Sequence, residues 1–142
     1  MHPKIVRAHP SWRRDWLVPL LFSPPGCVGR VLLSRMLNRD EKFCYGTFMA
    51  NVVATMGVGV CWAVENMHGG RLVDDGTGRN LAVVRGVQEG FCGCLSTVST
   101  WVAEMDRLAR RGKAGWAWLY GGVSVGVGLG ALLLLCGPVR WE

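Results

Sequence analysis

Four apolar stretches, Trp16 to Leu33, Phe43 to Val64, Leu81 to Met105 and Trp116 to Gly137, leave this chain few folds to choose from. Each lies close to the roughly 20 residues that a helix needs to cross the hydrocarbon core of a bilayer. In lipid every backbone N–H and C=O must find a partner within the protein, and a helix meets that demand alone. Half of the 142 residues are hydrophobic, a balance that fits a small integral membrane protein better than an average soluble domain. The third stretch carries Arg85, Gln88, Glu89 and Glu104, so hydropathy alone scores it weakly. The expected fold is an all-α membrane protein. A short basic tail over 1–15 precedes one domain over 16–142, with helices over 16–37, 43–64, 81–106 and 116–137.

A formal charge of +6 does not point to nucleic acid, because the basic residues are scattered over the ends of the apolar stretches without interleaved stacking aromatics. Lipid headgroups are the partner they fit. Lys4, Arg7, Arg13, Arg14, Arg71, Arg79 and Arg140 fall on one side of the membrane, and Arg35, Arg39, Lys42, Arg107, Arg110, Arg111 and Lys113 on the other. The sides balance, so the positive-inside rule selects no orientation. Either the chain inserts both ways and two copies pair antiparallel, or a longer N-terminal segment breaks the tie. The first stretch follows Arg13-Arg14-Asp15, contains prolines and lacks a small-residue cleavage site, so it is expected to stay in the mature protein. The six cysteines show neither zinc nor thioredoxin spacing and read as small apolar fillers. Trp12, Trp16, Trp62, Trp116, Trp118 and Trp141 sit near expected helix ends, where an aromatic belt belongs.

Within the first stretch, Ser23-Pro24-Pro25-Gly26 cannot carry a full hydrogen-bond ladder, so the helix either begins near Pro25 or is kinked there. Arg30 lies beyond it, placed to snorkel toward the interface or to pair with a partner. Gly46, Ala50 and Ala54 recur every four residues and give the second helix a small face for close packing. Thr47 and Asn51 form a polar stripe of their own. The fourth helix repeats the device with Gly122, Gly126 and Gly130, beside a second stripe of Tyr120, Ser124 and Gly128. Glu65 to Asn80 reads as a solvated loop, and its His68 has no assigned role.

Gly90 to Trp101, Gly-Phe-Cys-Gly-Cys-Leu-Ser-Thr-Val-Ser-Thr-Trp, is out of place in a plain anchor. A glycine-rich break at membrane depth is tolerated only where it is buried in protein or faces a watery cavity. A break at Gly93 would free carbonyls that can coordinate a cation such as Na⁺. The hydroxyls of Ser96, Thr97, Ser99 and Thr100, with the Asn51 amide, can solvate a small anion without trapping it, as conduction requires. A ring presented edge-on also favours an anion, and Trp101 offers such an edge together with its indole N–H. The alternative is that the hydroxyls back-bond to the preceding turn and Trp101 packs against lipid or a neighbouring helix.

Gly46-Thr47-Phe48-Met49-Ala50-Asn51 resembles the Gly-Thr-Leu-x-Val-Asn signature of the Fluc/CrcB fluoride channels. Gly90 to Trp101 resembles their Gly-Phe-x-Gly-Gly-x-Thr-Thr-Phe-Ser-Thr-Phe motif. The likeness runs from Ser23 to Gly137, and Ser-Pro-Pro-Gly, Gly-Phe-Cys-Gly-Cys and Ser-Thr-Trp-Val-Ala-Glu look most like the C-terminal half of two-domain fungal fluoride exporters. The resemblance implies a four-helix unit with a broken third helix, paired antiparallel with another chain or with the other half of a longer one. It further implies passive, selective fluoride export, with Na⁺ as a structural cofactor at the centre and the plasma membrane as the location. By position, Asn51 becomes the pore donor and Thr47 its polar neighbour, with Thr97, Ser99, Thr100 and Trp101 along the pore. The carbonyls of Gly93 and Ser96 take the Na⁺ places, and Tyr120 and Ser124 extend the polar track. The departures that matter are Val98 and Trp101, which stand where the pattern has phenylalanine, and Cys94, where it has glycine. Valine has no ring edge, so a pore site at Val98 depends on a partner that supplies one.

Two other classes compete with a channel. A non-conducting membrane scaffold would use the small-residue faces only to bind a partner unit. A proton-coupled transporter needs a central ionisable relay, whereas Glu89 and Glu104 lie toward opposite ends of their helix, with Arg85 one turn from Glu89 as its expected ion partner. An enzyme is not expected: no nucleophile with its base, metal-ligand set or phosphate loop can be assembled, and His2, His9 and His68 fall outside the apolar stretches.

Overall fold

The computed structural model describes residues 11–38, 43–66 and 79–137. Among these residues the regular structure is all helical, without strands. In order come α1 (Ser11–Leu37), α2 (Tyr45–Asn66), α3 (Arg79–Arg85), a π-helical segment (Gly86–Cys92), the three-residue α4 (Gly93–Leu95), α5 (Ser99–Arg110) and α6 (Ala114–Cys136). Three helices are long and apolar enough to cross a membrane: Trp16–Leu37 within α1, then α2, then α6. Their large side chains, among them Leu17, Leu21, Val125, Leu129 and Leu134, face outward. Such a surface suits lipid as its solvent, and the chain is an integral, multi-pass membrane protein.

Close approaches define the topology. Gly46 of α2 packs against Leu33 and Ser34 of α1, Gly57 lies against Cys92, and Glu65 faces Arg85, so α2 runs antiparallel both to α1 and to the course that begins at α3. Tyr120 of α6 meets Glu104 of α5, and Gly59 of α2 meets Leu135, so α6 is antiparallel to α5 and parallel to α2. Backbone-level contact makes this tight. A Cβ at Gly46 would overlap the Leu33 carbonyl, and one at Gly90 or Gly26 would overlap the carbonyl of Pro19 or Phe91. Small residues are the means by which membrane helices reach such contact, since lipid supplies no hydrophobic drive toward association.

Two small cores result. Ala50, Ala54, Cys92 and Leu95 fill the centre, flanked by Leu33, Val58, Val87 and Phe91. Cys44, Leu108, Ala117 and Tyr120 fill one end, with Phe43, Phe48, Trp101 and Met105 around them. Phe43 stands edge-on to both Phe48 and Tyr120, with ring centroids 5.4 and 4.9 Å apart, an arrangement favoured by the ring quadrupoles.

Several expectations need correction. Of the two courses expected for the first stretch, a start near Pro25 is excluded: α1 winds as one helix from Ser11 through Pro24 and Pro25 to Leu37. These prolines leave the Leu20 and Leu21 carbonyls without their i+4 N–H donors, while the Ser23 hydroxyl donates to the Pro19 carbonyl at 2.8 Å. Gly93 is not a break: its φ of −61° and ψ of −38° are α-helical. Winding lapses instead after Leu95, where Ser96 is extended at φ −74° and ψ 156°, and resumes at Ser99. Arg85 pairs with Glu65 at 3.9 Å, not with Glu89. The π segment between them bonds i to i+5, which carries Glu89 off the alignment that an α-helical pair needs. His2, His9, His68, Trp12's side chain and Trp141 lie outside the described residues.

Candidate functional site

The site is built on the non-helical stretch Ser96–Val98, and Asn51 of α2 holds that stretch in place. Helical winding would send the Thr97 N–H to the Gly93 carbonyl. It donates instead to Asn51 Oδ1 at 2.7 Å, and Asn51 Nδ2 donates back to the Thr97 carbonyl at 3.1 Å. The reciprocal pair identifies which amide atom is oxygen. It also replaces two main-chain bonds that the interruption removes, as a buried backbone requires. The carboxamide has two N–H groups, and this clip uses one.

What the clip exposes is a pair of opposed helix ends. The Gly93 carbonyl, released from Thr97, accepts the Ser96 hydroxyl at 3.2 Å. Among the described residues, no atom beyond its own helical turn lies within 4 Å of where a Cβ on Gly93 would stand, so this side of α4 is open. Carbonyls at such a C-terminal end attract cations. The N-terminus of α5, carrying about half a positive elementary charge, attracts anions. Val98 contributes no side-chain cap to α5. Thr97 crowds it with hydroxyls instead: its Oγ1 lies 3.4 Å from Ser99 Oγ, donates to Thr100 Oγ1 at 3.3 Å and accepts the Thr100 N–H at 3.4 Å. Ser99 and Thr100 are exposed, and Val98 is 72% exposed. Trp101 turns inward onto the end core near Gly121, and its buried indole N–H meets no acceptor among the described residues.

Beside Thr100 opens a cleft of about 340 Å³ lined by Arg30, Val31, Ser34 and Arg35. Arg30 therefore neighbours the hydroxyl stretch, and its charge gives an approaching anion a favourable potential.

A second cluster was not foreseen. Glu104 of α5 is only 8% exposed, and its carboxylate accepts three donors. Thr47 Oγ1 donates to Oε1 at 2.7 Å, Asn38 Nδ2 to the same oxygen at 3.1 Å, and Tyr120 Oη to Oε2 at 2.8 Å. Asn38 also accepts the Gly46 N–H on Oδ1 at 2.6 Å, so one carboxamide caps the start of α2 and holds the carboxylate. The three donors give both oxygens of this buried carboxyl group the partners that burial would otherwise deny them. Thr47 and Tyr120, expected along an ion track, are both fully buried here with their hydroxyl protons committed to Glu104. Ser124 donates to the Tyr120 carbonyl at 2.7 Å and so bonds within its own helix. In the sequence Glu104 is a carboxylate within an apolar run and Thr47 and Tyr120 belong to polar stripes, but nothing local joins residues so remote in the chain.

The small-residue faces divide. Gly46 and Ala50 are buried within the unit. Around Gly122, Gly126 and Gly130 nothing stands within 4 Å of a Cβ position, so this face of α6 looks away from the unit's own helices.

Residues 17–137 match the family model described as CrcB-like protein, Camphor Resistance. The chain is 40% identical to "Fluoride export protein 1" of Neurospora crassa over 132 residues, covering 92% of this chain and 23% of that protein. It is 34% identical over 140 residues to "Fluoride export protein 1" of Candida albicans, covering 96% of this chain and 35% of the relative. It thus spans about a quarter to a third of these fungal relatives. "Fluoride-specific ion channel FluC" of Ignicoccus hospitalis is 33% identical over 110 residues, 77% of this chain and 81% of that one. With the family model matched over almost all its described length, the chain belongs to the CrcB-like family, alongside the fluoride-specific ion channels and fluoride export proteins.

Proposed function

We propose that the chain is one unit of a fluoride channel that lets fluoride leave passively down its electrochemical gradient. The observation that carries the reading is the clip between Asn51 and Thr97. It creates an interruption with carbonyls on one side and a hydroxyl-rich helix N-terminus on the other, on a face open to a second unit. On this reading α3, the π segment, α4 and α5 form one interrupted crossing, the third of four in chain order.

Each part then has a task. Hydroxyls of Thr97, Ser99 and Thr100, the spare Asn51 N–H and the α5 N-terminus replace the water shell of an anion with neutral donors. Neutral donors let the ion leave again, which a fixed cation would oppose. Arg30 and Arg35 raise the anion concentration at the cleft mouth. Thr47 and Tyr120 continue the donor track wherever an anion displaces them from Glu104, and Trp101 adds its N–H and ring edge. The carbonyls of Gly93 and Ser96, brought against their counterparts on a second unit, form a site for structural Na⁺. The face of Gly122, Gly126 and Gly130 supplies surface for pairing, antiparallel, with another copy or another half of a longer chain. No bond is made or broken in this process, so the role is transport and not enzymatic, and a fungal-type exporter would place it in the plasma membrane.

A specific observation favours a second reading, that the unit conducts only with a different partner: Val98 is prominently exposed but has no aromatic edge. Reconstitution in liposomes separates the two. Fluoride efflux, read with an ion-selective electrode beside a chloride control, is expected from the chain alone if it is complete. Efflux only on co-reconstitution with a phenylalanine-bearing unit establishes the second reading, and none in either case leaves a scaffold.

A further inference from the structure

The π segment exposes one charge that the passage of an anion does not use. From Gly86 to Leu95 only Glu89 and Gly93 are exposed. Gly86 and Gly90 are taken up by α1, against Val18 and Pro19, whereas Glu89 and Gly93, four positions apart and so about one turn, share the side that is open at Gly93. Between Leu81 and Leu95, Glu89 is the one carboxylate and Arg85 the one cation. Arg85 reaches across to Glu65 of α2 at 3.9 Å, and among the described residues the Glu89 carboxylate has neither an ion pair nor a hydrogen bond. A lone carboxylate is costly at membrane depth, so its countercharge has to come from outside the unit.

We propose that Glu89 is the fixed countercharge of a cation site centred on the released carbonyl of Gly93, and that it sets the affinity of that site for Na⁺. The inference rests on the antiparallel pairing and the Na⁺ site put forward above, and not on the anion that the unit conducts. Carbonyls supply ligand atoms but no full charge. The Gly93 carbonyl, its Thr97 partner lost to Asn51, accepts only the Ser96 hydroxyl among the described residues and keeps a lone pair for a cation. Glu89 stands roughly 6 Å back along the axis. Its side chain leans toward the helix N-terminus while the carbonyls point the other way, so it acts through space and stays outside the ligand set. In a pair whose axis passes between the Gly93 carbonyls, the second Glu89 lies at the same distance on the far side. There the same crossing of the second unit brings residues 99–103 past Glu89, and none of them is cationic. A bound cation therefore fits better than a guanidinium of the second unit, and it also offsets a negative field that would repel an anion at the α5 end.

The test reads the cation: the melting temperature of the assembled chain in detergent, as Na⁺ replaces N-methylglucamine at constant ionic strength. In the wild type it should rise with Na⁺ and saturate. Glu89→Gln is near-isosteric at an exposed position, so its helical circular dichroism and its melting temperature without Na⁺ should not fall. Its half-saturating Na⁺ concentration should rise on the order of tenfold, the effect of one unit charge removed at roughly 10 Å in surroundings of intermediate polarity. Glu89→Asp keeps the charge and should titrate close to the wild type. A purely structural role for Glu89, or an ion pair with a cation of the second unit, would lower the melting temperature of Glu89→Gln equally with and without Na⁺. That result, or one half-saturating concentration shared by wild type and Glu89→Gln, would overturn the proposal while leaving the Na⁺ site in place. A wild-type melting temperature indifferent to Na⁺ would overturn both. Fluoride efflux from vesicles shows separately whether the channel reading stands.

Discussion

Asn51 has to satisfy main-chain atoms that a helix would otherwise satisfy. Truncation to Ala leaves the Thr97 N–H and C=O without partners, at a cost of about 1–3 kcal/mol for each buried group. Asn51→Asp keeps the acceptor for the Thr97 N–H but turns the Nδ2 donor into an oxygen facing the Thr97 carbonyl. Efflux is expected to fall in both variants, with Asn51→Asp the more damaging for an anion because it adds negative charge. Comparing their initial efflux rates checks this order. Glu104 behaves as the second fixed point. In Glu104→Gln an N–H₂ group replaces one acceptor oxygen and confronts the hydroxyl of Thr47 or Tyr120. The expected loss is about 1–3 kcal/mol, the range for a buried polar group left without its partner, seen as a lower melting temperature in detergent. Adding Tyr120→Phe removes one orphaned donor and should recover part of that loss.

Helices carry the next prediction, through glycines that look alike in the sequence and differ in place. Gly46→Val drives a branched side chain into the Leu33 carbonyl, where backbone and not a pliable side chain must yield. Overpacking of this kind costs about 1–3 kcal/mol or more, and the chain should fail to purify as a single helical species. Gly126→Leu meets nothing within 4 Å in its own unit. Its helical signal and melting as an isolated unit should be unchanged, while size-exclusion chromatography in mild detergent should show weakened pairing. The same scale shows what the sequence could and could not reveal. Apolar length and small-residue spacing announced α1, α2 and α6, because lipid accepts few alternatives. Gly93 looked like the interruption because glycine weakens helices, yet weakening is not breaking. The decisive competitor is Asn51, forty-six positions from Thr97. The π segment has no periodic signature of its own. The Glu104 cluster draws on Asn38, Thr47 and Tyr120 from three other parts of the chain, so no local pattern could announce it.

At the scale of the whole molecule, the proposed pairing would use two open surfaces. Among the described residues, nothing fills the Gly93 side of α4 or the glycine face of α6. If Na⁺ joins the Gly93 and Ser96 carbonyls of two units, it binds the assembled state alone and stabilises it by mass action. Replacing Na⁺ with N-methylglucamine should lower the melting temperature of the assembly, with little effect on a monomeric Gly126→Leu unit. The most direct test of the account is the initial rate of fluoride efflux from liposomes holding the wild-type chain or Asn51→Ala, with a matched chloride gradient. Where the chain alone is reconstitution-competent it is used alone, and otherwise with its phenylalanine-bearing partner. The account predicts rapid fluoride efflux, no measurable chloride efflux, and loss of the fluoride signal in Asn51→Ala. Equal fluoride rates in both proteins, with insertion and helicity matched, would contradict it.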